Sequence, residues 1–125
     1  SSAIKLPTQY MHTLWFTLTF DEDIKHKDIL ENLRDSEFLM ATEKMSSNKV
    51  FSFGRDHGYH GRLLSHGVVA EHSLHVKDNA LTGYCFTPQD GNALLSSVAA
   101  TVQYYYRDDW KDKMDVFNRY IFKNI

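Results

Sequence analysis

The chain has 125 residues, enough for one domain that buries roughly two-thirds of its unfolded surface on folding. Its hydrophobic fraction of 42% and charged fraction of 24% are ordinary for a globular domain, and no apolar run approaches the roughly 18 residues of a membrane span. A net charge of −2 lacks the basic footprint of a nucleic-acid-binding surface. The single cysteine, Cys85, and the lack of a visible secretory leader favour the cytoplasm. We therefore expect neither nucleic-acid nor membrane partners.

The clearest strand signal lies between Tyr10 and Phe20. The even positions are mostly apolar, and the odd positions combine threonines with Met11 and Trp15, so that a period of two runs through β-branched and aromatic residues. We expect the even face to be core and this strand to be central in the sheet. The odd face is neither fully apolar nor charged. The residues of this odd face are Thr13, Trp15, Thr17 and Thr19. Their composition is typical of a sheet face that contacts another subunit. A solvent-exposed face with scattered aromatic residues would have the same composition.

His12 stands on the apolar face of this strand, near its start. Pro7 and Thr8 mark the entry to the strand, because proline cannot donate a hydrogen bond inside a ladder. A lone histidine in such a place is commonly one that is hydrogen-bonded at a strand end. We retain that alternative and take His12 as the most informative single residue.

The remaining patterns predict helices and strands in alternation. The first are a helix capped by Asp23 and ending by Asp35, a strand at 38–42 and a helix from Ser46 to a C-terminal Gly58. A strand at 49–53 is the alternative to this second helix. Then follow a strand at 68–76, a turn at 77–79, a return strand at 80–87 that Pro88 ends, a long helix capped near 90–92 and a last helix from Asp108 or Asp109. The turn composition predicts that strands 68–76 and 80–87 form an antiparallel hairpin.

The two final helices carry the clearest apolar stripes. We expect the long helix to bury Leu94, Leu95, Val98, Val102 and Tyr105, and the last helix to bury Trp110, Met114, Phe117 and Ile121. Helices that interrupt a sheet containing a hairpin predict the α+β class. The expected architecture is a mixed β-sheet with the helices packed on one face.

Most motifs that would indicate chemistry are missing. Gly54, Gly58 and Gly61 do not have the GxGxxG spacing of a dinucleotide site. The histidines follow no metal-ligand pattern, and His72 and His75 would point to opposite faces of one strand, so no metal site is predicted. Cys85 lies within a strand beside aromatic residues, where a cysteine usually packs as a small apolar side chain.

The pattern Pro7-Thr8-x-x-Met11-His12, followed by an alternating strand, an acidic break and a helix at 27–33, resembles the catalytic C-terminal domain of archaeal-type (class II) glyceraldehyde-3-phosphate dehydrogenase. Further scattered similarities cover nearly the whole chain. Two features depart from the family pattern: Leu14 replaces a second histidine, and residues 94–97 replace the segment that opens the family's long helix. Substrate identity therefore stays open.

The resemblance implies an NAD(P)-dependent, phosphorylating oxidoreductase of glycolysis that oxidises a small phosphorylated aldehyde through a cysteine thioester. His12 matches the family's acid–base histidine, and imidazole suits that role because its pKa of about 6.5 lets it exchange a proton near neutrality. The family's nucleophilic cysteine and its dinucleotide-binding domain have no counterpart in this chain. Residues 1–125 are thus expected to be a single catalytic-type or oligomerisation domain, part of a longer chain and inactive alone.

Arg55 and Arg62, beside a glycine-rich loop, are candidate ligands for an anionic substrate group, with solvated loop arginines as the alternative. The resembled family forms tetramers, which implies a homo-oligomer through the sheet face that carries Trp15. The competing hypothesis is a non-enzymatic oligomerisation or binding module that has kept only the fold.

Overall fold

The computed structural model describes residues 11–59, 65–121 and 125. The strands are β1 (Met11–Thr19), β2 (Leu39–Thr42), β3 (Gly67–Ala70), β4 (His75–Lys77) and β5 (Ala80–Pro88). The helices are α1 (His26–Asp35), α2 (Ser47–Gly54), α3 (Gln89–Tyr106) and α4 (Trp110–Met114). Shorter turns are a π-helical turn at Arg55–Tyr59 and 3₁₀ turns at Glu71–Ser73, Arg107–Asp109 and Asp115–Tyr120. The predicted α+β class is confirmed.

The sheet is mixed, and its order is β1-β5-β3-β2, with β4 also paired to β5. Among the described strands, only β2 and β3 run parallel, whereas β1, β3 and β4 are all antiparallel to β5. The expectation that the opening strand is central was wrong. The long strand β5 occupies the centre because it pairs with β1 along one side and with β3 and β4 along the other, which leaves β1 at the edge of the sheet that the described residues form.

The single strand expected at 68–76 is divided into β3 and β4 by a 3₁₀ turn. Ser73 in that turn replaces the missing ladder contacts: its Oγ donates to the carbonyl of Ala70 at 2.6 Å and accepts from the backbone N–H of Tyr84 at 2.8 Å. The predicted hairpin between β4 and β5 is confirmed, with Asp78 and Asn79 as its two-residue loop. Asp78 has φ 54°, a left-handed conformation that aspartate tolerates better than most residues.

The sheet is covered by helices on both faces, so the prediction that they pack on one face was wrong. One face packs against α2, α3 and α4 and buries Met11, Met40, Val50, Val68, Ala70, Phe86, Leu95, Ala99, Met114, Ile121 and Ile125. The other face packs against α1 and buries Leu33, Ala41, Val69, Leu74 and Leu81. Adjacent residues such as Val68 and Val69 enter opposite cores, because side chains alternate along a strand.

The even face of β1 is only partly core. Phe16 packs beneath α1, whereas Leu14 and Leu18 are each 49% exposed. On the opposite face Met11 is buried but Trp15 is 65% exposed. Leu14 and Leu18 stay exposed because α1 has 10 residues, which span about 15 Å, and so covers only part of the even face of an edge strand of nine residues.

The long helix α3 starts directly after Pro88 and presents a different stripe from the predicted one. Leu95 and Ala99 are buried, whereas Leu94 and Tyr105, both expected inside, are 53% and 73% exposed. The stripe predicted for the last helix is confirmed, because its four residues contribute to the same core as α3; they are Trp110, Met114, Phe117 and Ile121. That segment is an α-helix only as far as Met114 and continues as a 3₁₀ turn.

The second predicted helix is confirmed as α2, and its rival strand is not formed. The helix does not end at Gly58, because it continues into the π-helical turn Arg55–Tyr59. Helix α1 ends at Asp35 as predicted but starts at His26 rather than after an Asp23 cap. Within the described part of the chain, no helix combines the length and hydrophobicity that crossing a membrane would require.

Candidate functional site

His12 lies in the edge strand β1, opposite Thr87 of β5. Its side chain is exposed, and within the described ranges no hydrogen bond or ion pair holds the ring. The alternative of a hydrogen-bonded strand-end histidine stays a prediction, because residues 1–10 lie outside the described ranges. Because alternate residues share a face, His12 belongs to the same row as Leu14 and Phe16, on the side of the sheet that α1 covers farther along.

Cys85 is on the same sheet face as His12 and lies diagonally across the β1–β5 pair, opposite Leu14. Burial raises the pKa of the Cys85 thiol, and hydrogen bonds to Val68 and Thr87 only partly oppose that effect. A thiol with a raised pKa is protonated at neutral pH and is a poor nucleophile. Cys85 packs with the core beneath α1, which favours the structural role predicted for it.

The two candidate arginines do not join His12 in a described site. Arg55 is in the π-helical turn after α2, on the opposite side of the sheet, and its guanidinium Nε contacts the Asp56 carboxylate at 3.1 Å. Both side chains of this ion pair are more than half exposed, so its net attraction is small. Arg62 lies outside the described residues. The proposed anion-binding role of both arginines remains a prediction.

His66 is a residue that sequence reasoning did not single out. Its ring stacks on Phe38, with centroids 4.9 Å apart, and Phe38 stacks in turn on Trp110 at 6.1 Å. Its Nε2 atom is buried and has no hydrogen-bond partner among the residues that the structure describes. Burial accordingly lowers the pKa of His66. The sequence offers no signal for this position, because the stack joins residues from three separate segments.

An apolar groove of about 320 Å³ lies between α1 and the sheet. Its lining is almost entirely aliphatic and aromatic, with Asn32 and Ser36 as its polar members; the apolar residues are Phe16, Leu18, Phe20, Ile29, Leu33, Leu39, Val69, Leu74 and Leu81. His12 does not line this groove. The candidate acid–base residue and the groove therefore occupy different parts of the same sheet face.

The described ranges contain no group of three or more side chains that could together hold a metal ion. Comparison with protein-family models and with curated proteins found no match to this chain. His12, the sequence pattern around it and the surfaces of β1 are therefore the features from which a function can be inferred.

Proposed function

We propose that this chain is the catalytic domain of a glyceraldehyde-3-phosphate dehydrogenase-like oxidoreductase, with His12 as its acid–base residue. The observation that carries the proposal is the combination of the Pro7-Thr8-x-x-Met11-His12 pattern with an exposed imidazole that makes no hydrogen bond or ion pair in the described ranges. The proposed substrate is a small phosphorylated aldehyde. The single cysteine and unremarkable charge are compatible with the cytoplasm that we propose as its location.

The exposure of His12 suits a site that a second domain completes. A nucleophilic cysteine from elsewhere in the enzyme would form a thiol–aldehyde adduct. The His12 imidazole would accept the hydroxyl proton of that adduct, and a nicotinamide held outside this chain would be the acceptor for the hydride that the carbon loses. The resulting imidazolium would return the proton to the thiol when phosphate displaces it. This role needs a ring that is accessible and able to change its protonation state near neutral pH.

Among the described residues, Gly54 and Gly58 offer no binding loop for the nicotinamide cofactor, NAD(P). Gly54 is buried within α2 and Gly58 lies in the π-helical turn, so these glycines do not form the strand–turn–helix loop that cradles a pyrophosphate. We propose that NAD(P) is bound mainly by sequence outside this chain. The isolated chain would then be inactive.

The test is the substitution His12→Ala in the protein that includes the upstream sequence. Loss of a positioned general base is expected to lower kcat about 10²- to 10⁴-fold. The matched control is His72→Ala, which removes another exposed histidine, on the 3₁₀ turn between β3 and β4. Equal turnover in a folded His12→Ala variant and in the unmodified enzyme would overturn the proposal.

A second candidate function is association, and one observation favours it. Trp15 and Tyr84 lie directly opposite each other on β1 and β5, and they are 65% and 44% exposed. Adjacent exposed aromatic residues on a sheet are typical of a face that contacts another protein. We propose a homo-oligomer through this face, with or without catalysis. Sedimentation as a strict monomer at high micromolar concentration would contradict this association.

A further inference from the structure

The apolar groove between α1 and the sheet has the size of a small-molecule site. Its volume of about 320 Å³ lies at the lower end of the range for such sites, about 300–1,000 Å³. Nine of its eleven lining side chains are apolar, and all eleven belong to described residues. Four of them are buried in the core beneath α1, namely Leu33, Val69, Leu74 and Leu81, whereas Leu18 is 49% exposed. The groove therefore leads from this core to the solvent.

Hydrogen bonds at both ends of α1 fix the helix above the sheet. Before the helix, the Phe20 N–H donates to the Asn79 carbonyl at 2.9 Å, and the Asn79 side-chain amide donates to the Phe20 carbonyl at 2.7 Å. After the helix, the Ser36 hydroxyl oxygen accepts from the backbone N–H of Leu39 at 3.2 Å. One end of α1 is thus attached to the β4–β5 turn and the other to β2. The walls of the groove are set by these contacts, as is usual for preformed ligand sites.

The two polar residues of the groove lie in one row along α1. Residues four apart on a helix lie one above the other, so Asn32 is stacked with Ser36 and Ile29 with Leu33. The Ser36 hydroxyl oxygen already accepts a backbone N–H, whereas the Asn32 amide is exposed and makes no hydrogen bond within the described ranges. Asn32 can therefore bind one polar group at the rim, beside an apolar interior.

The eleven residues that line the groove include no charged side chain. The lysine and the arginine of α1 each have a carboxylate partner: Lys27 Nζ is 3.4 Å from Glu31 Oε1, and Arg34 Nη2 is 3.7 Å from Glu71 Oε2. Transfer of an unpaired charge into an apolar site costs far more free energy than transfer of a neutral polar group. The groove therefore disfavours a carboxylate or phosphate head group and accepts a hydroxyl or carbonyl.

We propose that this groove binds a neutral amphiphile, a single alkyl chain that ends in a hydroxyl or carbonyl group. At about 30 Å³ for a water-sized group, 320 Å³ has room for a chain of roughly ten carbon atoms. The chain would lie against Leu74 and Leu81, and the head group would accept a hydrogen bond from the Asn32 amide. The site goes beyond both proposed functions and depends on neither, because neither His12 nor Trp15 lines it.

The experiment measures displacement of the neutral fluorescent probe N-phenyl-1-naphthylamine by 1-decanol and by decanoate at pH 7.5, where decanoate is ionised. We expect saturable binding of the probe and displacement by 1-decanol at a concentration about tenfold or more below that of decanoate, because the groove offers no partner for a charge. No saturable binding to the unmodified chain, or equal displacement by the two compounds, would overturn the proposal.

Two leucines of β1 provide a matched pair of variants. Leu14 and Leu18 are both 49% exposed on the same strand, but only Leu18 lines the groove. Leu18→Asp should weaken binding of 1-decanol about tenfold or more, because it replaces an apolar contact with a charge. Leu14→Asp should leave that binding within about twofold of its original value. Equal losses in the two variants would contradict binding in this groove.

A third variant tests the head-group contact without altering the apolar lining. Asn32→Ala, a substitution at an exposed helix position, should weaken binding of 1-decanol by about 3- to 10-fold, because it removes one hydrogen bond. Butylbenzene, a neutral hydrocarbon of similar size, should bind the variant and the unmodified chain equally. Unchanged binding of 1-decanol, or an equal loss for both compounds, would overturn the assignment of Asn32 to the head group.

Discussion

Gly67 and Cys85 approach each other more closely than a side chain at position 67 would allow. A Cβ built on Gly67 would lie 2.6 Å from the Cys85 sulfur, a separation that ordinary contacts do not reach. The next neighbour, the Leu39 Cδ2 atom, would be at an acceptable 3.5 Å. The glycine at the start of β3 is therefore required by one specific thiol on the central strand.

The first prediction follows from that contact. Gly67→Ala should lower the free energy of unfolding by about 1–3 kcal/mol, because the added methyl overpacks against the sulfur. In a Cys85→Ala background the same substitution should cost less, since the sulfur is gone. Urea unfolding of the four chains gives the coupling energy, expected to fall between about 0.5 and 3 kcal/mol. Additive effects would show that the contact is not what excludes alanine.

Burial of His66 makes the stability of the chain depend on pH under acidic conditions. Burial lowers its pKa from the ordinary value of 6.5, so the unfolded chain binds a proton at that position before the folded chain does. As pH falls below 6.5, protonation therefore favours the unfolded state, and the loss continues until pH reaches the lowered folded pKa. Above 6.5 the ring is neutral in both states and contributes no pH dependence.

The second prediction concerns the direction of this pH dependence of stability. His66→Phe keeps a ring to stack on Phe38 and removes the titrating group, so its stability should fall less than that of the unmodified chain between pH 7.5 and pH 5.5. The same substitution at the exposed His72 serves as the control. Chemical unfolding at the two pH values measures both. An unchanged acid dependence in His66→Phe would assign the effect to other groups.

Among the helices, α3 contains adjacent residues that differ strongly in burial. Leu94 and Leu95 are neighbours with the same side chain, yet Leu94 is 53% exposed and Leu95 is fully buried. They differ by about 100° around the helix axis, because an α-helix has 3.6 residues per turn. The helix is apolar around much of its circumference, so periodicity alone does not select the stripe that meets the sheet.

The third prediction uses this pair as its own control. Leu95→Ala should lower the free energy of unfolding by about 2–5 kcal/mol, because it leaves a cavity in the core shared with Ala99 and Met114. Leu94→Ala should change stability by no more than about 0.5 kcal/mol, since its side chain is largely in solvent and alanine is a good helix former. Thermal or urea unfolding measures the difference. Similar losses in both variants would mean that Leu94 is covered, as it would be in an oligomer.

In the molecule as a whole, the helices cover some parts of the sheet and leave other parts exposed. Three helices, α2, α3 and α4, pack on one face of the sheet, and α1 covers part of the other. The uncovered remainder lies along β1, where Leu14, Trp15 and Leu18 are exposed. The candidate histidine and the proposed face contact both involve this strand, so substitutions in β1 test both proposed functions.

Several features could be predicted from the sequence because neighbours along the chain decide them. The Asp78-Asn79 loop joins β4 to β5, the ladder ends at Pro88, and the stripe from Trp110 to Ile121 is core. Turn conformation, a missing N–H and side-chain spacing act over a few residues, so each was visible in the sequence. His12 could be singled out in the same way, from its place in an alternating strand.

Which face of each element is buried depends on tertiary contacts. Alternation places His12, Leu14 and Phe16 on one face, but only the strand order leaves β1 at the edge and His12 exposed. The stack of His66 on Phe38, and the separation of His12 from Arg55 by the sheet, likewise depend on contacts between distant segments. A sequence period determines which side chains share a face, whereas burial depends on long-range packing, because the free energy of covering a face comes from its neighbours in space.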